Sequence, residues 1–214
     1  MRANFDKQLD QLNLLLLNMA ACVEQIIAMS IKSLEEQNTE LAQQTVEFDT
    51  KINDYEKEIE RLCLKLLLQY QPVFADDLRR VSTALKMITD MERIGDQAAD
   101  IAELNITLIA QKKSWDLGEI SQMARCTAMM VSHSIDAYVN HDEALAGAVI
   151  ASDDEVDNLF NRIKSNVIEQ IAEDKSKGEQ AVDTVMIAKY FERIGDHAVN
   201  IAEWVLFSIT GVHK

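Results

Sequence analysis

Hydrophobic residues recur at spacings of three and four along almost the whole chain, which is the pattern of amphipathic α-helices. The pattern breaks at five places and predicts six long helices. We place them at about residues 2–36, 39–70, 72–113, 117–139, 142–174 and 178–209. Six glycines and one proline are few for 214 residues, and this scarcity of turn residues also favours long helices with few connections.

Residues that start or stop helices mark the ends of these segments. Thr39 and Asp142 are predicted N-caps, because their side-chain oxygens can accept a hydrogen bond from a free N–H of the first turn. Pro72 cannot continue the second helix and ends it. Two lysines at 112–113 suit the negative end of the third helix. The short segment 114–118 is the predicted boundary between two halves that touch.

The two halves of the chain repeat. Residues 92–103 read ERIGDQAADIAE and residues 192–203 read ERIGDHAVNIAE, so nine of the twelve positions are identical at a constant offset of 100. A weaker match, at an offset of 104, relates the Asp-x-x-Ile-Asn that starts at Asp49 to the Asp-x-x-Val-Asp that starts at Asp153. We therefore predict an all-α protein of two related three-helix domains, residues 1–114 and 115–214.

The net charge indicates which classes of partner the protein can bind, and the cysteines indicate the redox compartment in which it functions. A formal net charge of −15 repels nucleic acid and anionic membrane surfaces, and attracts metal cations and basic protein surfaces. Cys22, Cys63 and Cys126 are far apart and odd in number, which indicates buried thiols in a reducing compartment.

The N-terminal segment contains a nearly apolar run, Leu14–Val23, which could be a signal peptide or a membrane span. Acidic residues precede this run and Asn18 interrupts it, which is unlike a signal peptide. No run reaches the roughly 18 apolar residues of a membrane span. We predict a cytoplasmic protein with its native N-terminus and no direct membrane insertion.

The repeated motif places acids on one face of its helix. At 100° per residue, Glu92, Asp96 and Asp100 fall within about 80° of each other, opposite the apolar face. The second copy repeats this arrangement with Glu192, Asp196 and Asn200. Such a stripe is also what any solvated helix face shows.

Three features favour a metal site over a merely solvated face. Like charges four residues apart destabilise a helix, and a glycine inside a helix costs about 1 kcal/mol against alanine yet occurs in both motifs. Acids of the neighbouring helix could also converge on each stripe: Asp49 in the first half, and Asp153 with Asp157 in the second. Carboxylate clusters bind cations such as Fe, Mn, Mg or Zn. A glycine beside them would let a metal cluster or another backbone come close.

Other chemistries find less support. No histidine follows an acid by three residues, as helical di-iron enzymes require. No phosphate-binding loop, nucleophile elbow or Cys/His pair is present. Two alternatives to a metal-binding regulatory module stay open: a metal-dependent enzyme on a helical bundle, and a structural helical adaptor without metal.

With its two ERIGD motifs, Asp77-Leu78-Arg79 and the DDEVD run at 153–157, the whole chain resembles the PhoU family of regulators of bacterial phosphate uptake. The resemblance implies six long antiparallel helices in two pseudo-symmetric three-helix bundles, PhoU-like or spectrin-like. It also implies multinuclear iron or zinc clusters on acidic motifs. These motifs correspond to the following positions: Glu92, Asp96, Glu192, Asp196, Asp153 and Asp157, with Asn200 matching the asparagine of the longer motif.

The sequence departs from the family pattern at Asp100, where an asparagine is usual, and at Asn53, where an acid is usual. We expect these departures to add charge to one site and remove it from the other, so that the two sites are not equally occupied.

The resemblance further implies a non-enzymatic role, as a bridge between the ATPase subunit of a phosphate ABC transporter and a sensor histidine kinase. The protein would restrain uptake and the phosphate-starvation response when phosphate is plentiful. It would be recruited to the inner face of the membrane through these partners. Whether it forms a homodimer is left open.

Overall fold

The computed structural model describes residues 2–69, 75–111 and 117–212, and within them it contains six long helices and no strand. The helices are α1 (Arg2–Glu35), α2 (Thr39–Gln69), α3 (Ala75–Ala110), α4 (Gly118–Asn140), α5 (Glu143–Glu173) and α6 (Gly178–Thr210). A short 3₁₀ turn, Lys175–Lys177, leads into α6. The predicted all-α class is confirmed.

One of the two predicted N-caps is confirmed and the other is wrong. Asp142 is the N-cap of α5, because its carboxylate accepts a hydrogen bond from the N–H of Leu145 at 2.9 Å. For α2 the predicted cap is wrong: the N–H of Leu41 donates to Asn38 at 3.0 Å, and Thr39 is already the first helical residue. Pro72, the lysines at 112–113 and the boundary between residues 114 and 115 lie outside the described residues.

The helices form two bundles. Helices α1, α2 and α3 pack on one another, as do α4, α5 and α6, and α3 packs against α6 between the bundles. Asp90 of α3 contacts Asn200 of α6, while Asp100 contacts Tyr190, so the two central helices run antiparallel. This is the predicted pair of pseudo-symmetric three-helix bundles.

The predicted core faces of α3 and α6 are buried. In each motif an isoleucine, an alanine and a second isoleucine are 0% exposed: Ile94, Ala98 and Ile101 in α3, and Ile194, Ala198 and Ile201 in α6. Burying these side chains fixes the rotation of each helix about its own axis. The acidic face of each motif therefore points away from the core.

Helix α1 is unusually apolar. By length and composition, Asn4–Glu35 is the one segment among the described residues that could cross a membrane. A core helix has the same composition, and the face of α1 that carries Leu12, Leu16 and Met19 is buried in the bundle. Leu14 and Leu17 on the other face are exposed.

The thiols are only partly as predicted. Cys22 and Cys63 are buried and free, and burial raises the pKa of the Cys63 thiol to about 12. Cys126 of α4 is half-buried instead, and its thiol contacts the carboxylate of Glu155 in α5 at 3.6 Å.

Candidate metal-binding clusters

Acidic residues of α2 and α3 meet on the outside of the first bundle. Buried Ile52 and Ile59 turn one face of α2 towards α3, and the acids beside this face share its spacing of about two helical turns. We define the first acidic cluster as the carboxylates that interact with one another across the contact between α2 and α3: Asp49, Glu56, Glu92, Asp96 and Asp100.

The carboxylates of the first acidic cluster repel one another. Burial and then the negative charge of Asp96 raise the pKa of Asp49 and that of Glu92. Burial and the charges of Glu60 and Asp96 do the same for Glu56, although Lys57 partly offsets them. A cation placed among these groups would remove an unfavourable interaction that the protein otherwise retains.

Asp49 has one satisfied and one unsatisfied oxygen. Its Oδ2 accepts a 2.7 Å hydrogen bond from the amide of Asn53. Its Oδ1 is buried and has no hydrogen-bond partner. This oxygen lies against Gly95, where a Cβ atom would be 2.8 Å away. The glycine of the motif therefore makes room for the Asp49 carboxylate, which fills the space that another backbone would need.

The second bundle carries an equivalent group of acids. We define the second acidic cluster as Asp153 and Asp157 of α5 together with Glu192 and Asp196 of α6. Burial, followed by the charges of Asp157, Asp196 and other neighbouring acids, raises the pKa of Asp153 to about 6. Burial and Glu192 also raise the pKa of Asp196, against the opposing charge of Lys189.

The same oxygen is unsatisfied in both clusters. Oδ1 of Asp153 is buried without a hydrogen-bond partner, as is Oδ1 of Asp49 at the equivalent position of the first half. The fit against the glycine is looser here, since a Cβ on Gly195 would lie 3.7 Å from Asp153 Oδ1. A buried carboxylate oxygen without a donor is costly, and this cost occurs twice at the same position.

The two clusters differ in one cation. In the second, the ammonium of Lys189 forms an ion pair with Glu192 and lies 5.5 Å from the ring centroid of Phe160. The equivalent positions of the first half hold Thr89 and Glu56. The first acidic cluster thus has an additional carboxylate where the second has a phenylalanine, and it lacks the lysine.

Two of the predicted ligands lie partly or wholly at the interface between the bundles. The negative charge of Asp100 contributes to the raised pKa of Asp49, but the Asp100 carboxylate also accepts a hydrogen bond from Tyr190 of α6. Asn200 donates to Asp90 of α3 at 3.0 Å, beside His197, whose Nδ1 is 2.9 Å from the same carboxylate. No described contact brings Asn200 into the second acidic cluster, and its role as a ligand stays a prediction.

The expected effect of the two sequence departures is wrong in one respect. Asp100 and Asn53 were expected to alter different sites. Because α2 and α3 of one repeat form a single cluster, both departures fall in the first acidic cluster, where one adds a charge and the other removes one. The difference in net charge between the two clusters comes instead from Lys189, which only the second has, and from Glu56, which only the first has.

The donor chemistry of both clusters fits a cation. Carboxylate oxygens are ligands for iron, zinc, manganese and magnesium, and one unsatisfied oxygen in each cluster is already desolvated. Within the described residues, however, no group of three or more His, Cys, Asp or Glu side chains is placed so that it could hold a metal ion as it stands. Metal binding would therefore require the carboxylate side chains of each cluster to rearrange.

Sequence reasoning missed Glu56 and Lys189. Glu56 lies seven residues after Asp49, and Lys189 three residues before Glu192, so both share a helix face with a predicted ligand. Helical spacing could have found both. Their effect on the clusters depends on how α2 meets α3 and α5 meets α6, which spacing within one helix does not show.

Comparison with known protein families finds the same two-part organisation. A family model described as the PhoU domain matches residues 16–104 and again residues 120–205. The phosphate-specific transport system accessory protein PhoU homolog of Clostridium acetobutylicum is 37% identical over 210 residues, covering 98% of this chain and 96% of that protein. PhoU homolog 1 of Thermotoga maritima is 33% identical, covering 97% and 90%.

Solved structures share the fold. The crystal structure of PhoU from Pseudomonas aeruginosa superposes with a TM-score of 0.94 at 31% identity, over 97% of this chain and all of that one. The phosphate transport system regulatory protein PhoU from Streptococcus pneumoniae gives a TM-score of 0.90 over 98% of this chain and 99% of that chain. At 23% identity the second match bears on the fold alone.

Proposed function

Because this chain belongs to the PhoU family, we propose that it is a non-enzymatic accessory protein of a phosphate-specific transport system. In this role it restrains phosphate uptake and the phosphate-starvation response when phosphate is plentiful. It does so by contacting the ATPase subunit of the transporter and a sensor histidine kinase at the cytoplasmic face of the membrane. The match of two PhoU domains across nearly the whole chain is the observation that supports this role.

The surface charge supports a protein partner with a basic face. A net charge of −15 gives long-range attraction to cationic surfaces and speeds their encounter. The acidic faces of α3 and α6 are the parts of this surface that both repeats share. We therefore propose that these faces bind basic partner surfaces or metal ions. A bound metal ion could also connect such a face to a partner.

Two experiments test the regulatory role. Deletion of the gene should raise phosphate uptake in phosphate-rich medium, and the chain supplied in trans should restore it. The purified protein should also capture the ATPase subunit and the cytoplasmic part of the kinase, more weakly as ionic strength rises. Unchanged uptake on deletion, together with no capture of either partner, would refute the proposal.

We propose further that the two acidic clusters hold iron or zinc, as multinuclear groups. The equivalent unsatisfied oxygens, Oδ1 of Asp49 and Oδ1 of Asp153, are the observation that supports metal binding. In the first cluster Asp49, Glu92 and Asp96 would be the ligands, and Asp100 lies at its edge. In the second cluster they would be Asp153, Asp157, Glu192 and Asp196. Bound cations would supply positive charge that lets acidic partner groups or phosphate approach these faces.

Elemental analysis after metal loading and desalting tests this part. The wild-type chain should retain at least stoichiometric iron or zinc, and Glu92→Ala with Asp96→Ala should lose the share bound by the first acidic cluster. Asp54→Asn with Glu58→Gln is the matched control, since both are exposed acids on the opposite face of α2. Sub-stoichiometric metal in the wild type, or equal loss in the control, would count against a metal site.

A structural adaptor without metal is the second candidate. Among the described side chains, no group of three or more His, Cys, Asp or Glu is placed to hold a metal ion. On this alternative the acids interact with partners directly. Chelators would then change neither the stability of the protein nor its capture of partners, whereas the metal-binding proposal predicts that they reduce both.

A further inference from the structure

A cavity of about 620 Å³ lies at the end of the molecule remote from the acidic clusters. It is lined by residues of four helices from both bundles, among them Leu17 of α1, Arg80 of α3, Val139 of α4 and Ile209 of α6. Along α3, Arg80 is twelve residues from Glu92, or roughly 18 Å at 1.5 Å per residue. It is thus separate from the proposed metal surface, and a ligand bound there would span both bundles.

The cavity is a positive region on a strongly negative protein. Arg79, Arg80, Asp76 and His141 line it. Arg79 forms an ion pair with Asp76 at 3.2 Å, so the two arginines leave one net positive charge in the cavity lining. On a chain with a net charge of −15, this local excess favours an anion at this place.

The two arginines have different surroundings. Arg79 packs against Gly211, where the chain leaves α6 with a φ of 75°, and a Cβ at this glycine would lie 2.8 Å from its guanidinium. The C-terminus of α6 and Asp76 therefore hold Arg79 in place. Arg80 is exposed, and it forms no ion pair with any side chain in the described part of the chain. Its guanidinium is free to meet a ligand.

The three-helix bundle does not require this arginine pair. At the offset of 100 that relates the repeats, Arg79 and Arg80 correspond to Glu179 and Gln180. The corresponding positions of the second bundle are helical without them, since α6 begins at Gly178. The positive charge is therefore a local property of this cavity.

The rest of the lining is suited to an apolar or aromatic group. Leu17 is 41% exposed and Val139 45% exposed, so both present apolar surface without a protein partner. Tyr138 adds an aromatic face, and its phenol is fixed by a 3.2 Å hydrogen bond to Asn13. The volume is within the range of about 300–1,000 Å³ of small-ligand sites.

We infer that this cavity binds a phosphate monoester attached to an aromatic or apolar group, of the size and chemistry of a nucleoside monophosphate. A phosphate monoester carries nearly two negative charges at neutral pH, and the net positive charge of the lining attracts it. Arg80 forms paired hydrogen bonds to the phosphate oxygens, His141 adds a further donor, and the attached ring covers Leu17 and Val139. This inference goes beyond the proposed transport role and does not depend on it.

Titration of the full-length protein with AMP tests the inference, with adenosine, ribose 5-phosphate and inorganic phosphate as comparison ligands. AMP should bind more tightly than each of these, because each of them lacks one part of the recognised chemistry. Arg80→Gln should weaken AMP binding by about tenfold or more. Leu17→Glu should weaken it as well, since it places a carboxylate in the cavity at an exposed position.

The matched control is Arg125→Gln, which removes the same charge from an exposed arginine of α4 that does not line the cavity. Methyl resonances of Val139 and Ile209 should shift on addition of AMP, and thermal unfolding confirms that each variant is folded. Absence of AMP binding overturns the inference. The inference is also overturned if adenosine, ribose 5-phosphate or inorganic phosphate binds as tightly as AMP, or if Arg125→Gln weakens binding as much as Arg80→Gln.

Discussion

The glycine of the ERIGD motif has a packing role that differs between its two copies. Gly95 is needed because the carboxylate of Asp49 lies directly against it, whereas Gly195 has ordinary van der Waals space to its neighbours. The same letter at the same motif position thus reflects a tight contact in one repeat and a loose one in the other.

Alanine substitution should separate the two glycines. Gly195→Ala should raise the free energy of unfolding of the metal-free protein by roughly 0.5–1 kcal/mol, since alanine is the better helix former. In Gly95→Ala the new methyl group must displace the Asp49 carboxylate, which offsets this gain and weakens metal binding at the first acidic cluster. Urea unfolding measures the difference, and an equal gain in both variants would contradict this account.

The raised pKa of Asp153 predicts how the stability of metal-free protein depends on pH. Its folded pKa of about 6 lies above the ordinary 3.8, so the folded state holds the proton more tightly. The resulting stabilisation is complete below pH 3.8 and is lost as pH rises through about 6. Asp153→Asn should therefore be the more stable protein at alkaline pH, by about 1 kcal/mol after allowance for solvent screening.

The control for this substitution is Asp54→Asn, an exposed acid outside both clusters, which should leave the pH dependence of unfolding unchanged. If Asp153→Asn loses as much stability between pH 4 and pH 7 as the wild type, ionisation of Asp153 is not the cause of that loss.

At the scale of single helices, periodicity and capping chemistry predicted most of what forms. The six helices and the buried faces of α3 and α6 follow from apolar spacing alone. The cap of α2 did not follow, because Asn38 and Thr39 are adjacent and both suit the position. The deciding feature is Gln37, whose φ of 51° ends α1 and makes Asn38 the residue that enters α2.

Substitution of the two residues should show which one caps α2. Asn38→Ala should lower the free energy of unfolding by about 1 kcal/mol, because the N–H of Leu41 loses its acceptor. Thr39→Ala should cost much less, since its side chain caps nothing in α2. Thermal unfolding of both variants at one pH measures this. A larger loss for Thr39→Ala would contradict the assignment of the cap.

At the scale of the whole molecule, the repeat is plain in the sequence, but the divergence of its two halves is a property of the packed structure. Which carboxylates meet depends on how α2 lies on α3 and α5 on α6. This arrangement brings Lys189 to Glu192 and leaves Thr89 at the corresponding place. For the same reason, the position of Asn200 opposite Asp90 could not be predicted from helical spacing.

Removal of the Lys189 charge should make the second acidic cluster resemble the first. Lys189→Gln removes the positive charge that partly neutralises Glu192, and should raise zinc affinity at the second cluster by about tenfold. Calorimetric titration measures this. Lys164→Gln, which changes an exposed lysine of α5, is the control. Unchanged affinity in Lys189→Gln would show that the lysine does not compete with the metal.

Anomalous diffraction from a crystal of the full chain soaked in zinc, recorded at the zinc edge, tests the central claim most directly. We predict a strong peak about 2 Å from the carboxylate oxygens of Asp49 and Asp96, and a weaker one between Asp153 and Asp196. The absence of zinc from both acidic clusters, with peaks only at sites such as His133 or His141, would contradict the account.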